Sequence, residues 1–166
     1  MLIYPHERAW HVPLTVRGSQ LRHHTGQVSL PGGRIDSGES VEEAALRETR
    51  EEVGVVPGRI ELLGRLTPLH IGVSGHLLHP VVGLARQRPS FRLAAGEVER
   101  LIEVPLACLQ QPDVVRWEQR ERSRPPVVVV DVPYFDVGGT RVWGATAMVL
   151  AEFLALIGDV DLRHDE

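Results

Sequence analysis

Glu48, Glu51 and Glu52 stand three and four residues apart in the run Arg47-Glu48-Thr49-Arg50-Glu51-Glu52-Val53-Gly54. On a helix those spacings share one face, so the carboxylates crowd within a single turn. They also lie near the negative end of the helix dipole, which worsens the repulsion. A divalent cation resolves the conflict: Mg²⁺ prefers carboxylate oxygens and keeps positions open for water and phosphates, with Mn²⁺ as the second candidate. Arg47, on an adjoining face, is free to pair with a carboxylate of the preceding loop, and Glu39 is the candidate. Taken alone, a glutamate-rich helix is more often a solvated face, so the surrounding pattern has to decide.

The elements that would position these groups are well punctuated. Pro31-Gly32-Gly33 through Gly38 is turn chemistry. Ser40 and Glu43 have capping-box spacing, Glu42 and Glu43 suit a positive helix end, and Gly54 suits a left-handed terminus. A helix is therefore expected over residues 41–53. Upstream, Trp10, Val12, Leu14 and Val16 alternate with His11, Pro13, Thr15 and Arg17, the period of a half-buried strand, with Pro13 placing it at an edge or bulge. Leu2 to Tyr4 is expected as a short partner strand. Downstream, strand-like runs cover Ile60 to Leu66, His76 to Ala85, Leu101 to Val104 and Val127 to Val132. Tyr134 to Trp143 reads as a hairpin around Gly138-Gly139, and Ala145 to Ile157 as a second helix ending at Gly158. Arg116 to Arg124 interleaves Glu118 and Glu121 and reads as a mixed-sign surface loop. Strands around two helices predict an α+β fold, an α/β/α sandwich.

The 166 residues suit one domain spanning 1–166. Eighteen Lys and Arg against 22 Asp and Glu give a net charge of −4, which argues against nucleic acid or an anionic membrane as partner. No apolar stretch approaches the length of a membrane span, and Met1-Leu2-Ile3-Tyr4 is too short for a signal peptide. The single cysteine, Cys108, excludes an internal disulfide framework and is expected to be a small buried residue in a reducing cytoplasm. A small-molecule substrate, a cytoplasmic location and a homodimer are the corresponding expectations.

The whole pattern reads G-x5-E-x7-R-E-U-x-E-E-x-G-U, with U a bulky apolar residue, and resembles the signature of the Nudix hydrolases. Gly33, Glu39, Arg47, Glu48, Glu51, Glu52 and Gly54 fill its seven fixed positions, and Val55 fits the last. At about 7% usage per residue type, such a match arises by chance on the order of once in 10⁸ starts. Thr49 departs from the pattern where an apolar residue is usual; its methyl group can still pack. The resemblance implies a Nudix-type α/β/α sandwich with a mixed central β-sheet and hydrolysis of a nucleoside diphosphate linked to another moiety. It implies Glu51 and Glu52 as principal metal ligands with the Gly32 carbonyl assisting. Glu48 would ligate metal or act as base, with Arg47 orienting it. Glu39 would anchor Arg47 or bind an outer metal. Glu97, before the strand at Leu101, is a second candidate for the base.

The segment just upstream is similar to the extra motif of the coenzyme A pyrophosphatases, L-L-T-x-R-[SA]-x3-R-x3-G-x3-F-P-G-G. Leu14, Thr15, Arg17, Arg22, Gly26, Pro31, Gly32 and Gly33 fall in register, while Pro13, Gly18 and Leu30 depart from it. Ser74-Gly75-His76 and Trp143 to Ala147 also look like this subfamily. The resemblance implies cleavage of coenzyme A or its derivatives to 3′,5′-ADP and 4′-phosphopantetheine. Arg17 and Arg22 are the candidates for the additional 3′-phosphate, with Gly33 also lining the substrate side of the loop. Two other readings remain: a broader hydrolase of ADP-ribose, dinucleotides or oxidised nucleotides, and a nucleotide-sensing module without turnover.

Overall fold

A computed structural model describes residues 1–18, 27–72, 75–121 and 128–158. Strands β1 (Leu2–His6) and β2 (Ala9–Arg17) form a tight hairpin in which Glu7 and Arg8 both adopt positive φ, 47° and 61°. β3 (Val28–Ser29) follows, then helix α1 (Val41–Val53), a 3₁₀ turn at Pro57–Arg59, and β4 (Ile60–Arg65). The chain continues through β5 (Leu69–Ile71), β6 (His76–Leu78), β7 (Val81–Ala85) and β8 (Val98–Pro105) to a single helical turn, α2 (Leu106–Leu109). It ends with β9 (Val115–Glu121), β10 (Val129–Val137), β11 (Thr140–Trp143) and α3 (Gly144–Ile157).

The largest sheet is mixed. Its order is β3-β2-β1-β7-β4, with β8 also paired to β2; β1 and β7 run parallel and the other pairs antiparallel. Alternation along β1 divides the core between the two faces. Ile3 joins a cluster with Val12, Leu14, Val149, Leu150 and Phe153, under α3. Leu2 and Tyr4 join Val53, Val55 and Ala85 at the end of α1. The result is an α+β sandwich, helix on each side of a mixed sheet.

Several expectations are corrected. β2 is central and buried on both faces: His11, Val12, Leu14, Thr15 and Val16 are all buried. Pro13 is therefore not on an edge strand. On one side it faces Glu103 of β8; on the other, β1 pairs only as far as His11 and β3 begins at Thr15. A proline costs a central strand least in such a gap. The run from His76 to Ala85 is two strands, separated at His79-Pro80, and the first pairs with the unanticipated β5. Arg116 to Glu121 is not a surface loop but most of β9. Its charges are cross-strand and same-face pairs, Arg116 with Asp136 at 3.2 Å and Glu118 with Arg120 and Arg141. Cys108 is exposed, because the short α2 turns its buried side inward through Leu106 and Leu109. Val127 and Arg124 lie outside the described residues. Among those residues no helix is long and apolar enough to cross a membrane.

Candidate active site

The helix carrying the glutamates is fixed at both ends. The Ser40 side chain accepts from the Glu43 backbone N–H, and the Ser40 backbone N–H donates to Glu43 Oε2 at 2.8 Å, closing the capping box. At the other end Gly54 takes φ 75°, and its N–H donates to Arg50 O at 2.9 Å. A side chain at Gly54 would also strike Arg92 Cβ, 2.7 Å from the position of an added Cβ. Thr49 satisfies its hydroxyl on Ala45 O at 2.7 Å, so the polar departure costs the helix no unpaired group.

Arg47 is the hub. Its Nε and Nη2 donate to the two oxygens of Glu39 at 2.9 and 3.0 Å, and Nη2 also donates to Arg34 O at 2.8 Å. Nη1 donates to Glu48 at 2.8 Å and to Glu51 at 3.0 Å. This planar fork ties the loop to the helix in a way an ammonium could not. It also holds the Glu39 carboxyl below the usual range, the side-chain bond from Arg47 being the largest cause.

The three glutamates do not converge on one point, as their spacing alone suggested. Arg47 draws Glu48 and half-exposed Glu51 to one side. Glu52 turns under the loop, where the Gly32 N–H donates to its Oε2 over a long 3.4 Å. Like charges at helical spacing repel: Glu48 and Glu51 share the Arg47 Nη1 donor, while Glu52 has the Gly32 N–H to itself. Gly33 lets Glu48 approach: an added Cβ would lie 2.5 Å from Glu48 Cδ, so any side chain there would push the carboxylate away.

A second segment closes over Glu52. Arg92 N–H donates to Val53 O and Ala94 N–H to Glu52 O, both at 2.9 Å, capping the last carbonyls of α1. The turn that follows carries exposed Glu97, whose carbonyl accepts from Gly18 N–H at 2.9 Å. Gly18, a departure from the motif, is explained here: an added Cβ would come within 2.9 Å of the Gly96 carbonyl oxygen. β2 and β8 slip register at Val16/Arg17, and Arg17 emerges there close enough to act electrostatically on Glu52. Arg17 Nε is buried and has no hydrogen-bond partner among the described residues. Burial pushes the Glu52 carboxyl up to about 7; the Gly32 N–H and Arg17 oppose the rise, while Glu48 and Glu97 add to it. Arg22, His23, His24 and Ser74 lie outside the described residues.

The donor set of Glu48, Glu51, Glu52, Glu97 and the Gly32-Gly33 turn is entirely hard oxygen. As the side chains are placed, no three acidic, His or Cys groups among the described residues form a metal-holding cluster. Yet a carboxylate pushed up by burial, with acidic Glu48 and Glu97 adding to the rise, is a place where added positive charge is favoured. The residues fit a hard divalent cation. Sequence reasoning named Glu97 as a second candidate for the base and Arg17, with Arg22, as a candidate phosphate ligand. It missed the turn around Ala94 that brings the first to Glu52, because no local pattern marks that contact.

This fold and this loop-and-helix arrangement define a Nudix hydrolase: the NUDIX domain model matches residues 3–121, and the chain belongs to that family. It is 37% identical over 153 residues to an uncharacterized Nudix hydrolase, NudL, of Pectobacterium atrosepticum, covering 88% of this chain and 74% of that one. NudL of Salmonella paratyphi B is 38% identical over 152 residues, covering 87% and 74%. Among solved structures, the M. smegmatis Nudix hydrolase RenU superposes with a TM-score of 0.66 at 18% identity, covering 99% of this chain and 86% of that one. A C. elegans Ap4A hydrolase superposes at 0.55 and 17% identity, covering 64% and 76%. These structural likenesses establish the fold. Nudix hydrolases use divalent metal ions such as Mg²⁺.

Proposed function

We propose that the chain is a coenzyme A diphosphatase that hydrolyses the diphosphate of coenzyme A or its derivatives to 3′,5′-ADP and 4′-phosphopantetheine, using Mg²⁺ or Mn²⁺. The observation that carries this reading is Arg17, an arginine with a buried, unpartnered Nε among the described residues, at a strand end close enough to Glu52 to act on it electrostatically. A desolvated guanidinium N–H needs an acceptor, and a phosphate oxygen is a strong one. The upstream motif containing Arg17 and Arg22 supports the same substrate.

Glu48, Glu52 and the Gly32 carbonyl would hold the cation, joined by Glu51 once it leaves Arg47. When bound, the cation screens the diphosphate charge and makes water easier to deprotonate. Arg47, itself anchored by Glu39 and Arg34 O, orients Glu48. Gly33 keeps the loop thin enough for phosphate to approach. Glu48 and Glu97 are the two carboxylates that could take a proton from the attacking water, and Arg17 neutralises phosphate charge. The protein's share of the catalysis is positioning and electrostatics.

The test is a substrate panel with Mg²⁺: coenzyme A, dephospho-coenzyme A, ADP-ribose, dinucleotides and nucleoside triphosphates, with products identified by mass. Phosphopantetheine released preferentially from coenzyme A is expected. Preferential turnover of another compound, or binding without product, overturns the proposal. Arg17→Ala is expected to lower kcat/KM for coenzyme A about tenfold more than for dephospho-coenzyme A. Equal losses remove the 3′-phosphate from its assignment.

A further inference from the structure

The sheet β11-β10-β9 ends on β9, which among the described residues pairs only with β10. Exposed edges are usually blunted by a proline, a bulge or short length. β9 has none of these and is protected only by charge, in Arg116, Glu118, Arg120 and Glu121: its seven residues pair in continuous register from Val115 to Glu121 and contain no proline.

The two faces of β9 differ. One carries Val115 and Trp117, 44% and 65% exposed, with Met148 of α3 nearby at 55%. Between the sheet and α3 an apolar cavity of about 280 Å³ opens, lined by Val115, Pro133, Phe135, Ala147, Met148 and Ala151 among others. A tryptophan so exposed beside an unfilled apolar groove has the composition of an interface core. The other face carries Arg116, Glu118 and Arg120, with the Arg120 guanidinium 3.9 Å from the Trp143 ring centroid.

An antiparallel self-pairing about a two-fold axis sets same-face residues opposite each other, so the axis must pass through a residue. Through Glu118 it opposes Glu118 to its copy and Arg116 to Arg120, like against like. Through Gln119 it matches charges but sets Trp117 against Glu121. Through Trp117 it places Trp117 against its copy, Arg116 against the partner's Glu118 twice over, and Val115 against the partner's Gln119. That register pairs the two tryptophans on one face and opposite charges on the other. It also brings the partner's Trp117 diagonally beside Val115, at the mouth of the groove.

We propose that two copies of this chain dimerise through β9, antiparallel and centred on Trp117, joining two three-stranded sheets into one of six strands and covering the apolar groove. The interface is independent of which diphosphate is cut, and its test reads mass and cross-linking, never turnover.

Sedimentation of the full chain is expected to give twice the 18.4 kDa of one copy, and Trp117→Arg to weaken association at least about tenfold with circular dichroism unchanged. In a Cys108→Ser background, Val115→Cys and Gln119→Cys proteins mixed and mildly oxidised are expected to cross-link with each other, since facing Cα atoms in such a pair lie within disulfide reach. Neither variant alone should form covalent dimers. A wild-type monomer at the highest soluble concentration overturns the proposal. So does a dimer indifferent to Trp117→Arg, or self-cross-linking of Val115→Cys.

Discussion

The candidate site has two halves built on different principles. The loop and helix from Gly32 to Gly54 hold themselves: the capping box spans three residues, and Arg47 reaches Glu39 eight residues away. The other half, Arg17-Gly18 and the turn at Ala94 to Glu97, is assembled from segments distant in the chain by backbone bonds to Glu52 and Glu97. Their electrostatics differ accordingly. In the first half carboxylates are supplied with donors, and Glu39 and Glu43 are held below their ordinary range by hydrogen bonds. Where the second half closes over the end of the first, burial pushes Glu52 up to about 7. The local half is a scaffold at electrostatic ease; the long-range half buries a charge and creates the demand for a cation.

The contrast is most sharply tested at Glu52. Glu52→Gln is expected to cut turnover by at least about 10²-fold, the loss usual for a charged group acting at the reacting centre; near wild-type rates in a steady-state assay would break the assignment. The same variant has an opposite effect on folding. The Glu52 value near 7 lies above the ordinary 4.5, so the folded chain holds this proton more tightly than the unfolded one. That contribution is complete below about pH 4.5 and disappears as pH rises through 7. With a chelator at about pH 8, Glu52→Gln should therefore be more stable than wild type by about 1–2 kcal/mol, after discounting for solvent screening. Thermal melts across that pH window measure it, and a flat difference would mean Glu52 is not strained by burial.

Next in size is Arg47→Lys, which cannot reproduce the fork to Glu39 and Arg34 O and is expected to lower activity about 10- to 100-fold, as for residues that orient metal ligands. Gly33→Ala should lower metal affinity about tenfold by displacing Glu48 while leaving the melting temperature nearly unchanged, since the neighbour that must move is a side chain. Equal metal titrations for wild type and Gly33→Ala would show that Glu48 is not held by that contact. The smallest effect on chemistry is expected for Gly18→Ala, which disturbs the Gly96 backbone and moves Glu97 only indirectly; its loss should be a few-fold in activity, with a lower melting temperature.

How much was legible beforehand follows the same division. Helix α1, its cap, its terminal glycine and the Arg47–Glu39 pairing are short-range, and residue type and spacing suffice for them. The hairpin at Gly138-Gly139 and helix α3 were legible for the same reason. β9 was not: its alternating charges look like a solvated loop until β10 and β11 supply Asp136 and Arg141 as partners. The burial of Pro13 was equally hidden, because a central strand with a gap on one side has no signature in its own residues.

Residue order alone determined the chemistry-bearing helix, its loop and the family they belong to, since those features depend on interactions within a turn or two of chain. Only the folded sheet decided that Glu97 and Arg17 would stand beside Glu52 and that Glu52 would be buried enough to resist ionisation. Desolvation and long-range charge depend on everything that surrounds a group, and no segment carries that information by itself.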